Sequence, residues 1–210
     1  MKKLIFLLAC IPCLSYAGEF KKVRPGEYEF TGTMMPADAL ALRKLFATES
    51  DPFKITVDSP GGYLSAGIEM AEVTNLMQDR VQMVSKECFS AAAMWVSADP
   101  GYTFYDEKSL VAFHLPWVSR GGVPQEQSIG DTSSMAVAIW ESMRKTLSQF
   151  QAPVLFDSMC AVRDRHGING FVVFRKGQPM TTGLWKPDGW KWDDGTDGKA
   201  TRLDPFYVRP

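Results

Sequence analysis

Lys54-Ile55-Thr56-Val57-Asp58-Ser59-Pro60-Gly61-Gly62 is the segment from which the chain is best read. Its first five residues alternate β-branched and polar side chains, which predicts a strand, and Ser-Pro-Gly-Gly predicts a turn at its end. A helical run follows from about Ser65 to Met77. Upstream, Ala39, Leu42, Leu45 and Phe46 recur at helical spacing between Pro36 and Ala47, with Asp38, Arg43 and Lys44 at the other positions. Before that, Tyr28 and Phe30 predict a short strand closed by Thr31-Gly32-Thr33, and the charged stretch 18–27, with Pro25 and Gly26, is expected on the surface. The order is therefore strand, helix, strand, glycine-rich turn, helix.

Downstream the alternation continues. Val81–Ser85 predicts a strand and Ser90–Val96 a buried helix of small and apolar residues. Tyr102–Phe104 and Leu110–Phe113 predict two further strands, the second ending at His114. Residues 115–131 read as a loop, Thr132–Phe150 as a long helix, and the stretch from Pro153 to about Arg165 as a shorter one. Phe171–Phe174 is a late strand. Repeated strand and helix alternation predicts a layered α/β domain. Beyond Gly183, Trp185, Trp190 and Trp192 stand among Pro187, Gly189, Gly195 and Gly198. The expected division is a signal at 1–17, one domain at 18–182, and an aromatic, Gly/Pro-rich tail at 183–210. That tail has too many turn formers for a long element, and it is expected to wrap the domain or cover a neighbouring subunit.

The N-terminal segment MKKLIFLLACIPCLSYA carries Lys2 and Lys3, an apolar run from Leu4 to Leu14, and the small-x-small triplet Ser15-Tyr16-Ala17. These features predict a secretory signal cut after Ala17 and hence a periplasmic or secreted protein. A membrane span needs about 20 apolar residues; this run is shorter and broken by Pro12, so no transmembrane segment is expected after cleavage. Cys10 and Cys13 leave with the signal, and their CxxC spacing has no redox or metal meaning. Cys88 and Cys160 remain, and an oxidising compartment permits either a disulfide or two free thiols. The formal charge is −1 for 210 residues. No basic patch interleaved with aromatics occurs, which excludes nucleic acid as an expected partner.

Three places carry candidate chemistry. The glycine pair Gly61-Gly62 can bring backbone N–H groups close to a bound carbonyl, or simply shape a turn. Ser90 stands at a strand-to-helix transition, where its hydroxyl can be held beside the N–H of Ala91 or serve as an ordinary helix cap. His114 closes an apolar strand, where an imidazole of near-neutral pKa suits proton transfer. The other histidine, His166, lies in a polar stretch. Two histidines exclude a three-histidine metal site, and no Cys/His cluster of structural-zinc spacing remains.

Taken in order, Ile55–Gly62, Ala66-Gly67, Ser90–Ala93 and Phe113–Pro116 resemble the proteolytic subunit of Clp protease and its exported relatives in the Clp/crotonase fold group. The likeness covers roughly residues 28–165. It implies a repeated β-β-α layered fold, with Ser90 as nucleophile, His114 as general base, and the N–H groups of Gly62 and Ala91 as oxyanion donors. Asp164 stands about where the family carries its third residue, and Asp157 is the alternative acid. The activity implied is that of a serine hydrolase, a peptidase ahead of an esterase, acting on peptide or protein with no metal or organic cofactor. Relatives form rings, so a homo-oligomer is implied. An extracytoplasmic chain without an evident ATPase-docking element is not expected to work with an ATP-driven partner. Ala92 stands where the family has glycine, and it supports the alternative of an inactive Clp-like binding or assembly protein of the cell envelope. A thioester-binding enzyme of the crotonase type is a third reading, disfavoured by export.

Overall fold

The computed structural model describes residues 17–115, 119–120, 123–124, 141, 144, 151–186, 189–193 and 197–199. The signal segment up to Tyr16 lies outside them. So does nearly all of the expected loop at 115–131 and helix at 132–150, of which Glu141 and Arg144 are described and helical.

The chain runs β1 (Glu19–Arg24), β2 (Glu27–Thr31), α1 (Pro36–Thr48), β3 (Phe53–Ser59), α2 (Leu64–Leu76), β4 (Val81–Phe89) and α3 (Ala91–Val96). Then come β5 (Thr103–Phe104), β6 (Leu110–Phe113), a small hairpin of β7 (Ser119–Arg120) and β8 (Val123–Pro124), and α4 (Gln151–His166). A 3-10 turn at Gly167–Asn169 leads into β9 (Gly170–Arg175), β10 (Thr181–Lys186), β11 (Gly189–Trp192) and β12 (Asp197–Lys199). This is a mixed α/β fold built on one large sheet, ordered β1-β2-β3-β4-β6-β9-β10-β11-β12, with β5 paired to the first half of β4.

Its centre, β2-β3-β4-β6, is parallel, because each of these strands is followed by a helical crossover or returns from one. Both flanks are antiparallel: β1 folds onto β2 through the Pro25-Gly26 turn, and β9 to β12 extend the other side. The charged stretch after Gly18, expected on the surface, is an edge strand with most of its side chains exposed. The sheet continues past residue 182, since β10 begins at Thr181 and pairs with β9. Lys22 and Tyr28 both bond Glu49, just beyond α1, which ties the first hairpin to that helix.

Burial follows the pleat. Val57, Cys88, Val111, Phe113 and Val172 join Leu42 of α1, Met70 of α2, Trp95 of α3 and Leu155 and Met159 of α4 in the main core. The alternate residues Phe89, Leu110, Ala112, Phe171, Val173 and Trp185 form a second cluster. Fully burying residues such as Phe30 and Ile55 is worth roughly 1.5–3 kcal/mol each. Asp38, expected on the polar side of α1, is instead buried. Both Cys88 and Cys160 are free thiols. Among the described residues no helix is long and apolar enough to cross a membrane.

Helix α2 approaches α3 so closely that a Cβ on Gly67 would lie 2.8 Å from both the Cβ and the carbonyl oxygen of Ala91. Ala91 directly follows Ser90, so this contact sets the depth of the candidate site. Gly67→Val is expected to lower stability by about 1–3 kcal/mol in urea unfolding. Leu76→Ala, at a side chain 78% exposed, should change it by less than about 0.5 kcal/mol.

Candidate active site

Ser90 occupies the single step between β4 and α3. Its N–H donates to the Ala112 carbonyl of β6 at 2.8 Å, continuing the β4–β6 ladder one residue beyond the Phe89–Ala112 pair. Its backbone then turns sharply, with φ 55° and ψ −121°. Ser90 is the only residue other than glycine with positive φ among the described residues. Such a conformation costs a non-glycine residue about 1–3 kcal/mol, and strain of this size collects at functional sites. The ordinary capping role foreseen for a serine here is not taken up: the Ser90 side chain makes no capping hydrogen bond to α3. Only its carbonyl enters the helix, accepting from Met94 N–H at 3.2 Å.

The turn after β3 lies directly beside it. Ser59 Oγ donates to the Gly32 carbonyl at 2.7 Å and accepts the Gly61 N–H at 3.1 Å. Met34 N–H donates to the Gly61 carbonyl at 2.7 Å, and Tyr63 N–H to the Met34 carbonyl at 2.9 Å. This clamp requires glycines. A Cβ on Gly61, at φ 91°, would lie 2.7 Å from the Ser90 Cβ, and one on Gly62, at φ 152°, would strike the backbone of Met34. Gly61's N–H is committed to Ser59, so Gly62 offers the amide of this turn that can serve a ligand. Ala91, the first residue of α3, offers the second.

His114 follows the end of β6, two residues after the carbonyl that holds Ser90. The two candidate residues thus emerge at the C-terminal ends of neighbouring parallel strands. Nδ1 of His114 donates to the Leu115 carbonyl at 2.7 Å, which leaves Nε2 of the neutral ring as the proton acceptor. The ring stands edge-on to Phe171 at 4.9 Å, and Phe171 to Phe89 at 6.4 Å. An aromatic wall therefore runs from the residue before Ser90 to the imidazole. Burial pushes the His114 pKa down to about 4; the Leu115 carbonyl opposes the shift and the Arg163 guanidinium adds to it.

The two expected acids stand on α4. Asp157 and Asp164 are exposed; partial burial raises the pKa of the intervening Cys160, and these two carboxylates add to the shift. They are seven residues apart and so share one helical face. The charge that α4 brings to bear on His114 is that of Arg163. Cys88, two residues before Ser90, is no competing nucleophile: burial pushes its thiol up to about 12, and Sγ donates to the Val57 carbonyl at 3.3 Å. Among the described residues, no three His, Cys, Asp or Glu side chains converge as a metal ion would need. The contributions of Leu115, Phe171 and Met34 carry no sequence signal, because two act through backbone groups and the third through an ordinary apolar side chain.

The strain at Ser90 predicts that Ser90→Gly will be more stable than Ser90→Ala by about 1 kcal/mol in denaturant titration. His114 gives a second expectation. Its folded pKa of about 4 lies below its unfolded value, so the unfolded state binds the extra proton between these limits. Stability is then complete above about pH 6.5 and falls as pH drops towards 4, by up to about 3 kcal/mol. His114→Gln should flatten that limb of the stability–pH curve.

No family model matches the sequence, and no curated protein matches it. Among solved structures, the chain is similar to that of a ClpP1 point mutant from Listeria monocytogenes, at 17% sequence identity and a TM-score of 0.47. The match covers 69% of this chain and 89% of that one.

Proposed function

We propose that this protein is a serine hydrolase, with Ser90 as nucleophile and His114 as general base, and that its substrates are peptides or proteins. One observation carries the proposal: a serine in a strained, positive-φ turn, free of any capping duty, is tied by its own N–H to the strand that His114 directly follows.

In the proposed reaction an extended peptide lies with its scissile carbonyl over Ser90. Nε2 of His114 takes the hydroxyl proton as Oγ bonds to the carbonyl carbon. The N–H groups of Gly62 and Ala91 receive the developing oxyanion. Protonated His114 then gives its proton to the leaving amine as the C–N bond breaks, and water repeats the sequence on the ester to release the acid. The Leu115 carbonyl holds the tautomer by accepting from Nδ1. It thereby does part of what a carboxylate does in a triad, and Asp164, with Asp157 as the alternative acid, is the proposed third residue.

The wider reading is a Clp/crotonase-like repeated β-β-α layered domain, exported to the periplasm or medium and assembled as a homo-oligomer. No cofactor or ATP-driven partner enters it. The second reading, an inactive binding or assembly protein of the same fold, is favoured by one observation: a cation, Arg163, acts on His114 where a triad would have an anion.

Fluorophosphonate labelling separates the two. Ser90→Ala is expected to abolish labelling while keeping the circular dichroism and unfolding midpoint of a folded protein, and equal labelling of both proteins would sink the hydrolase. The labelling rate should hold at pH 5–6 and fall only nearer pH 4, following the depressed His114 pKa.

A further inference from the structure

Gly18 lies at a second point of close approach. A Cβ there would collide with the Phe30 ring and stand 2.9 Å from Asp38 Oδ2. The Gly18 N–H donates to the Asp38 carboxylate, which also accepts the Met35 N–H at 2.7 Å. Asp38 is only 4% exposed, and burial raises its pKa against the pull of these two donors. Both donors are neutral amides. Among the described residues no cation pairs with Asp38, and a buried carboxylate held only by neutral groups is costly.

The residue preceding Gly18 closes the triplet Ser15-Tyr16-Ala17, whose small-x-small pattern suits a signal-cleaving endopeptidase. Ala17 itself is exposed. We propose that the Ala17–Gly18 bond is a processing site and that the α-ammonium freed at Gly18 becomes the internal counter-ion of Asp38. Water adds across the bond: the C–N bond breaks, Ala17 keeps the carboxylate, and the Gly18 nitrogen takes up a solvent proton. An α-amino group of ordinary pKa, about 7.7–8.0, is mostly charged at pH 7. The nitrogen that becomes charged already donates to the carboxylate, so the ion pair forms without rearrangement of the main chain. Cleavage one residue away would move the charge by roughly 3.5 Å, the reach of one residue.

The pair reaches the candidate site along a short path. Asp38 holds Met35, and the adjacent Met34 is bonded on both sides to the turn that presents Gly62. Processing therefore tightens the strut behind one oxyanion donor. This last consequence rests on the hydrolase reading; the ion pair does not.

The full chain, expressed in a bacterium with an export pathway, should yield a mature protein whose N-terminal sequencing begins Gly-Glu-Phe-Lys; any other start overturns the site. For the ion pair, a chain beginning at Gly18, released from a fusion that leaves no extra residue, is compared with one that retains Ala17. The Gly18 chain is expected to melt about 3–8 °C higher, and Asp38→Asn should erase most of that difference. Its α-amine should also react with an N-hydroxysuccinimide ester about tenfold more slowly than in Asp38→Asn, because a rise of about one unit in the amine pKa cuts its unprotonated fraction about tenfold at neutral pH. Equal melting of the two unsubstituted chains, a comparison that needs no change at position 38, overturns the pair. Slower fluorophosphonate labelling of the Ala17 chain supports the link to Gly62. A melting difference with no labelling in either chain removes the hydrolase and leaves the ion pair standing.

Discussion

The main-chain hydrogen bond from Ser90 to Ala112 is the constraint on which the site depends. It makes β4 pair with β6 up to the residue at which the chain must already turn into α3. Satisfying both demands forces Ser90 into positive φ. The strain is tolerated because the neighbours leave it nowhere to relax. Phe89 before it and Ala92 after it have no exposed surface, and Ala91 is pressed by Gly67. A buried, close-packed frame over-determines one backbone angle, and a hydroxyl is left without a structural duty.

Much of this was legible in the residues. The β3–turn–α2 unit, α1, α3 and β6 all carry strong periodic or turn signals, and the structure has elements at those places. Strand β4 runs on through Lys86–Phe89, beyond the expected end, because its polar Lys86 and Glu87 break the apolar pattern while the backbone ladder to β6 continues. Strand β1 escaped notice since its outward residues are charged and pairing with β2, not burial, defines it. Of the strands after residue 180, β11 and β12 are short, and Gly, Pro and Trp mask the alternation there. For Ser90 the pattern allowed two roles, and only the backbone angle and the missing cap tell them apart. Asp38 looked like a solvated helix charge because spacing alone does not reveal that the segment before β1 lies over it.

Helical phase makes the surroundings of the two acids harder to read from sequence than those of His114. His114 follows a strand, where position along the chain fixes which sheet face a residue joins. On α4 a shift of one residue rotates a side chain by about 100°, so Arg163 and Asp164 look interchangeable in a linear motif but lie in different surroundings. The guanidinium bears on the imidazole, and the carboxylate stays on the solvent side near Cys160. The neutral, carbonyl-held His114 is a weak base that remains unprotonated well into acid.

The charged edge strand β1 has a further consequence for solubility. A parallel sheet of this size would otherwise end in an open row of unpaired amides and carbonyls beside β2, and such rows recruit strands from other molecules. Here the outermost strand carries Glu19, Lys21, Lys22 and Arg24, and charged side chains on an edge, lysine above all, discourage such pairing. The hairpin that closes the fold on this side thus also guards it against growth into a fibril.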